Sequence, residues 1–127
     1  MNPEQNLDYL AAKHAQEIVK ALSADPKKAE ISLTKTLGVL QENGVYACFL
    51  YLYAREGETG KNIVKNLLAL FEALKFPAVP GASYQDDALK YVAEQITSEL
   101  PTLLLAREAL ERMLIYARYG AKAADKQ

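Results

Sequence analysis

The stretch QENGVYACFLYLYAREG, Gln41 to Gly57, decides the fold class. After Asn43-Gly44 the chain runs ten residues, Val45 to Ala54, without a charged or amide side chain, and Arg55-Glu56 end the run. This is about half the length that a membrane-spanning helix needs. The run therefore reads as a buried helix inside a globular protein. A helix apolar all round must be surrounded by other helices, so Val45–Ala54 is expected to be the central rod of a bundle. Within it, Tyr46, Tyr51 and Tyr53 need partners for their hydroxyls or must reach the rim.

On the N-terminal side, Pro3 suits a first helical turn, and Leu7, Leu10, Ala11, His14, Ile18 and Leu22 recur at three- and four-residue spacing. Asp25-Pro26 starts a second helix, with Asp25 as N-cap and Pro26 at the first position. This helix carries Ile31, Leu33, Leu37 and Leu40, and Asn43-Gly44 closes it. On the C-terminal side, Gly57 to Gly60 reads as a turn. A fourth helix follows from about Lys61 to Lys75, with Ile63, Val64, Leu67, Leu68, Phe71 and Leu74 on one face. Phe76 to Ala82, with Pro77, Pro80 and Gly81, is a loop, and Ser83-x-x-Asp86 resembles a capping box. A fifth helix carries Ala88, Leu89, Val92 and Ile96. The last runs from Pro101 to about Ala121. The expected fold is all-α: one domain over residues 1–127, a compact bundle of about six helices around residues 45–54, with the last few residues outside the ordered part.

Composition bounds the function. The chain has 127 residues, half of them hydrophobic, with a net charge of −1. That is enough for one core without disulfides or metals. A single cysteine, Cys48, argues against a secreted disulfide scaffold and for a reducing, cytoplasmic setting. No signal peptide is expected, since acids and amides interrupt the first twenty residues. Positive charge is in excess only at the C-terminal end, where residues 101–127 hold five bases and three acids. Such cations also complement a helix dipole.

Catalytic chemistry is not visible. Gly57-Glu58-Thr59-Gly60-Lys61-Asn62 suggests a phosphate-binding loop but lacks its first glycine, where Arg55 stands. It also lacks the Ser or Thr after the lysine, where Asn62 stands. With one His and one Cys, zinc ligation is excluded, and no cofactor is expected. His14, in line with Leu7, Ala11 and Ile18, reads as a histidine at the core edge or in a helix seam. Asp86-Asp87 are adjacent and point apart, which fits a helix start better than paired acid–base work. No enzyme is expected.

The last helix carries the binding signal. Ala106, Leu110, Met113 and Ala117 form its core stripe, flanked by Ala109 and Leu114. Arg107, Arg118 and Lys122 line one edge of its outer face, Arg112 and Tyr119 the other, and Ile115 lies exposed between them. Aromatic and Arg side chains are enriched at protein interfaces. They also grip single-stranded nucleic acid. Equally, the pattern fits a core stripe extended in a larger bundle. Lys13 and Lys20 on the first helix and Lys61 and Lys65 on the fourth form a further basic edge, or plain solubilising charge.

Three stretches carry a resemblance. They are Lys13-His14-Ala15 with Ile18-Val19; Leu40-Gln41-Glu42-Asn43-Gly44-Val45 with Phe49-Leu50; and Arg107-Glu108-Ala109-Leu110 with Met113-Leu114-Ile115-Tyr116-Ala117-Arg118-Tyr119-Gly120. In order and spacing the chain resembles the small helical subunit of the type III-B (Cmr) CRISPR RNA-guided effector complex. It departs from that pattern at Ile115, where the family tends to have Trp, at Ala117, where it tends to have Lys, and in not being basic overall.

The resemblance implies a non-catalytic role in antiviral defence. Copies would stack into the minor filament beside the backbone subunits and the large polymerase-like subunit, and hold single-stranded target RNA against the guide RNA, with no membrane involved. The positions it implies for RNA are Lys13, His14, Lys20, Arg107, Arg112, Arg118 and Lys122, and for subunit stacking Ile115 and Tyr119. Two other readings stand beside it: a helical protein–protein adaptor or regulator with no nucleic-acid contact, and a small-ligand bundle using the tyrosines around the rod.

Overall fold

A computed structural model describes residues 3–81 and 84–126, with side chains from residue 7 onward. It contains six α-helices and, among the described residues, no strand. They are α1 (Pro3–Ala21), α2 (Pro26–Asn43), α3 (Val45–Arg55), α4 (Gly57–Ala73), α5 (Gln85–Tyr91) and α6 (Leu100–Asp125). A π-helical turn, Val92–Ile96, extends α5.

Local chemistry sets most boundaries. The Asp25 side chain accepts from the Lys28 N–H at 3.1 Å, and Pro26 fills the position after it. Gly44 alone joins α2 to α3, and its φ of 98° lies in the region open to glycine. The Gly57–Gly60 stretch, expected as a turn, is instead the first turn of α4, so α3 and α4 meet at the single residue Glu56. Ser83 of the expected capping box lies outside the described residues. α6 continues past Ala121 to Asp125, and Gln127 lies outside the described residues.

The helices form a ring. α6 packs against both α1 and α2, α2 against α3, α3 against α4, and α4 back against α1. Arg107 near the start of α6 reaches Gln41 near the end of α2, so these two run antiparallel. Asp8 pairs with Arg112, and Val19 meets Gly120, so α1 runs in the same direction as α6.

The expected central rod is corrected by this arrangement. α3 buries Val45, Cys48, Phe49 and Leu52, but Tyr46 is 38 % and Leu50 44 % exposed. α3 is one member of the ring, so its outward stripe meets solvent. The ring is filled by side chains from every helix, among them Ile18, Leu33, Phe49, Leu67, Phe71 and Met113. Phe49 stacks on Phe71 with ring centroids 5.8 Å apart, and Phe71 meets Phe76 at 5.3 Å. Each large apolar side chain buried this way contributes about 1.5–3 kcal/mol. Among the described residues no helix is long and apolar enough to cross a membrane.

Candidate functional site

α1 and α6 enclose a groove of about 450 Å³, lined by Ala12, Ala15, Gln16, Val19, Lys20, Ser23, Tyr116 and Gly120. Small residues make it possible. A Cβ built on Gly120 would stand 3.0 Å from Val19 Cγ2, so the two helices approach closely there. Higher up the seam, the Tyr116 hydroxyl donates to Asp8 Oδ1, and Arg112 lies 3.7 Å from the same carboxylate and 3.1 Å from Glu108. The hydrogen bond to Asp8 is the main cause that raises the Tyr116 hydroxyl pKa. Tyr116 is thus held as one wall of the groove, with Lys20 at the rim. On the outer surface of α1, Lys13 stands in register with Lys20, about two turns away.

The sequence-predicted positions divide into three groups. Lys13, Lys20 and Lys122 are exposed, and none has a side-chain partner among the described residues. Arg118 is half-buried, with its guanidinium 5.8 Å from the ring centroid of Tyr119, which is 62 % exposed. Arg107 and Arg112 are engaged internally: Arg107 donates to the Gln41 carbonyl at 3.0 Å, and Arg112 pairs with Asp8 and Glu108. His14 turns inward. Its Nδ1 is buried without a hydrogen-bond partner among the described residues, and burial, then neighbouring Lys13, lower its pKa. A neutral imidazole with a buried nitrogen is poorly suited to a phosphate. Ile115, expected to be exposed, is corrected: it is half-buried and packs on the core, because α6 rolls that edge toward its neighbours.

A second polar cluster forms between residues distant in the chain. At the α2–α3 seam Glu56 accepts from Ser32 Oγ at 2.7 Å and from the Tyr51 hydroxyl. Lys35, Tyr51, Arg55 and Glu56 line a recess of about 400 Å³ there. Ser32 and Glu56 are 24 residues apart, so no local motif announces the cluster. The one available signal was the lone Arg55-Glu56 pair closing an apolar run.

Cys48 is fully buried, and desolvation pushes its thiol up to about 12, which leaves it unreactive at neutral pH. Among the described residues no group of three His, Cys, Asp or Glu side chains is placed to hold a metal ion. No protein-family model matches the chain, and neither curated proteins nor solved structures give a match.

Proposed function

We propose that this chain is the non-catalytic small subunit of a type III-B CRISPR ribonucleoprotein effector complex. Copies stack into its minor filament, beside the backbone and large polymerase-like subunits, and help hold single-stranded target RNA against the guide. The observation that carries the reading is the α1–α6 groove, where a lysine and an aromatic ring line one small-residue channel. Lys20 offers a cation to a phosphate and Tyr116 a ring to a base, the pairing that sequence-tolerant single-strand binding requires. Lys13 extends the cationic line along α1, and Arg118 and Lys122 add charge on the outer face of α6. Arg107, Arg112 and His14 drop out of the proposed contact set, because the fold uses them. Pairing with the guide supplies sequence choice, so sparse backbone contacts suffice, and their effect multiplies along a filament of repeated subunits.

The test is target-RNA capture by the reconstituted complex with Lys20→Glu and Lys122→Glu in this subunit. Capture falls while the subunit's thermal unfolding is unchanged. Unchanged capture removes the groove from the RNA path.

A second reading, an adaptor that binds protein alone, is favoured by Leu100 at 64 % and Leu104 at 57 % exposure, next to each other on the first turns of α6. Apolar side chains left open in this way suit a protein partner. An adaptor gives the complex no RNA-dependent salt sensitivity.

A further inference from the structure

The recess between α2 and α3 has a charge arrangement that the protein itself does not complete. Lys35 and Arg55 line it, and neither has an ion-pair or hydrogen-bond partner among the described residues. Glu56 shares the recess and forms no ion pair with either of them. Buried Ser32 donates to its Oε1 at 2.7 Å, and Tyr51 donates to its Oε2. These two hydroxyls fix the carboxylate, and the two cations are left without a partner among the described residues.

An ionised carboxylate has about four acceptor positions, of which the protein fills two. The recess therefore offers two cations and an acceptor with unused capacity, with one positive charge in excess. A ligand that matches it carries an anion and, close by, a hydroxyl donor. A simple acid anion without a donor leaves Glu56 opposed to it across the recess. A neutral sugar leaves both cations unused.

We infer that this recess binds a ribose phosphate, with its phosphate on Lys35 and Arg55 and a ribose hydroxyl donating to Glu56. Arg55 can take phosphate oxygens through its planar fork, and Lys35 acts as a point charge. Tyr51 also lines the recess. A free ribonucleotide and a ribonucleotide within an RNA strand share this chemistry. The 2′-hydroxyl is also what distinguishes RNA from DNA at such a site. The assignment stands apart from the α1–α6 groove, which lies on a different helix pair.

The experiment is a titration of the isotope-labelled full chain, followed by NMR, with adenosine monophosphate, its dideoxy analogue, sulfate, and a short single-stranded RNA with its DNA counterpart. Adenosine monophosphate or the RNA shifts the resonances of Lys35, Tyr51 and Arg55, and removing the ribose hydroxyls weakens binding by about tenfold. Lys35→Ala and Arg55→Ala, both at exposed and unpartnered positions, each weaken it by about tenfold. Glu56→Gln abolishes the preference for the hydroxylated ligand. Response to the mononucleotide identifies a free nucleotide as a sufficient source, and response to RNA alone identifies the strand; either supports the site. Lys20→Glu leaves the titration unchanged, which separates this site from the groove. No shift at the recess with either source, or equal binding of the dideoxy analogue, overturns the inference. Adverse folding of Glu56→Gln does not shield it, because the Lys35 and Arg55 variants and the ligand series read the same site.

Discussion

Gly60 of α4 lies against the backbone carbonyl of Leu52 in α3, so close that a Cβ on residue 60 would stand 2.2 Å from that oxygen. The contact is backbone on backbone, so no side-chain rotation relieves it. Gly60→Ala is predicted to destabilise the protein by about 1–3 kcal/mol or more through overpacking. Gly38→Ala in α2 is its control. A Cβ there meets nothing within 4 Å, and the change should stabilise by about 0.4–1 kcal/mol through the unfolded chain. Urea midpoints of the two variants check both signs, and an unaffected Gly60→Ala contradicts the tight α3–α4 corner.

The inward His14 gives an acid-side prediction. Its pKa is lowered from 6.5 by burial and then by Lys13, against an opposing pull from Glu17. The folded state therefore binds fewer protons than the unfolded chain in the window below pH 6.5. Stability from this residue is complete above pH 6.5 and declines as pH falls through that value toward the lower folded one. Unfolding by urea across this range shows the decline, and His14→Gln should flatten it.

Tyr51 contributes to the alkaline limit, beside buried Cys48, whose thiol is pushed from 9.0 up to about 12, and the raised hydroxyls of Tyr53, Tyr91 and Tyr116. Burial, and next its hydrogen bond to Glu56, push the Tyr51 hydroxyl from 10.0 up to about 12. With the folded value above the unfolded one, the stability contributed by Tyr51 is full below pH 10 and is lost as pH rises from 10 toward 12. Tyr51→Phe should reduce that loss, and spectroscopic titration of tyrosinate with thermal melts measures it. Tyr51→Phe and wild type falling together above pH 10 would contradict the Tyr51–Glu56 link.

The sequence exposes the ends of the helices better than their neighbours. Asp25-Pro26, Asn43-Gly44 and Pro101 act through contacts within one turn, and each marks a boundary found in the structure. The α6 stripe of Ala106, Leu110, Met113 and Ala117, all four buried, is legible because Arg107, Glu108, Glu111 and Arg112 mark the opposite, polar side of the helix. The α3 run has no polar side to orient it, so its outward stripe at Tyr46 and Leu50 was hidden. Gly57–Gly60 reads as a turn on conformational grounds, and Gly57 does have a left-handed φ of 55°, but α4 already begins there, and Gly60 is the glycine that the close α3–α4 approach requires. At the candidate site, Lys20 was legible as a charge but the groove was not, since Ala12, Ala15 and Gly120 become a channel only when α1 lies on α6. Which arginines stay free depends likewise on partners distant in the chain, Gln41 for Arg107 and Asp8 for Arg112.

The Asp8–Arg112 pair should contribute little to stability. Asp8 is 60 % and Arg112 34 % exposed at 3.7 Å, so Arg112→Ala is expected to cost less than about 1 kcal/mol, and less still at high salt. Leu110→Ala, at a fully buried position in the same helix, should cost about 2–5 kcal/mol. Denaturant curves at low and high salt compare the two, and a large, salt-insensitive loss from Arg112→Ala would show that the pair does more than fasten α1.

The proposed RNA role is tested most directly by the salt dependence of target-RNA capture by the reconstituted complex, with wild-type subunit and with Lys20→Glu. Each phosphate contact to a single strand adds about 0.7 to the slope of log K against log salt. Lys20→Glu is expected to give a shallower slope, multiplied by the number of copies in the filament. An identical slope for the two complexes would contradict the proposed RNA role.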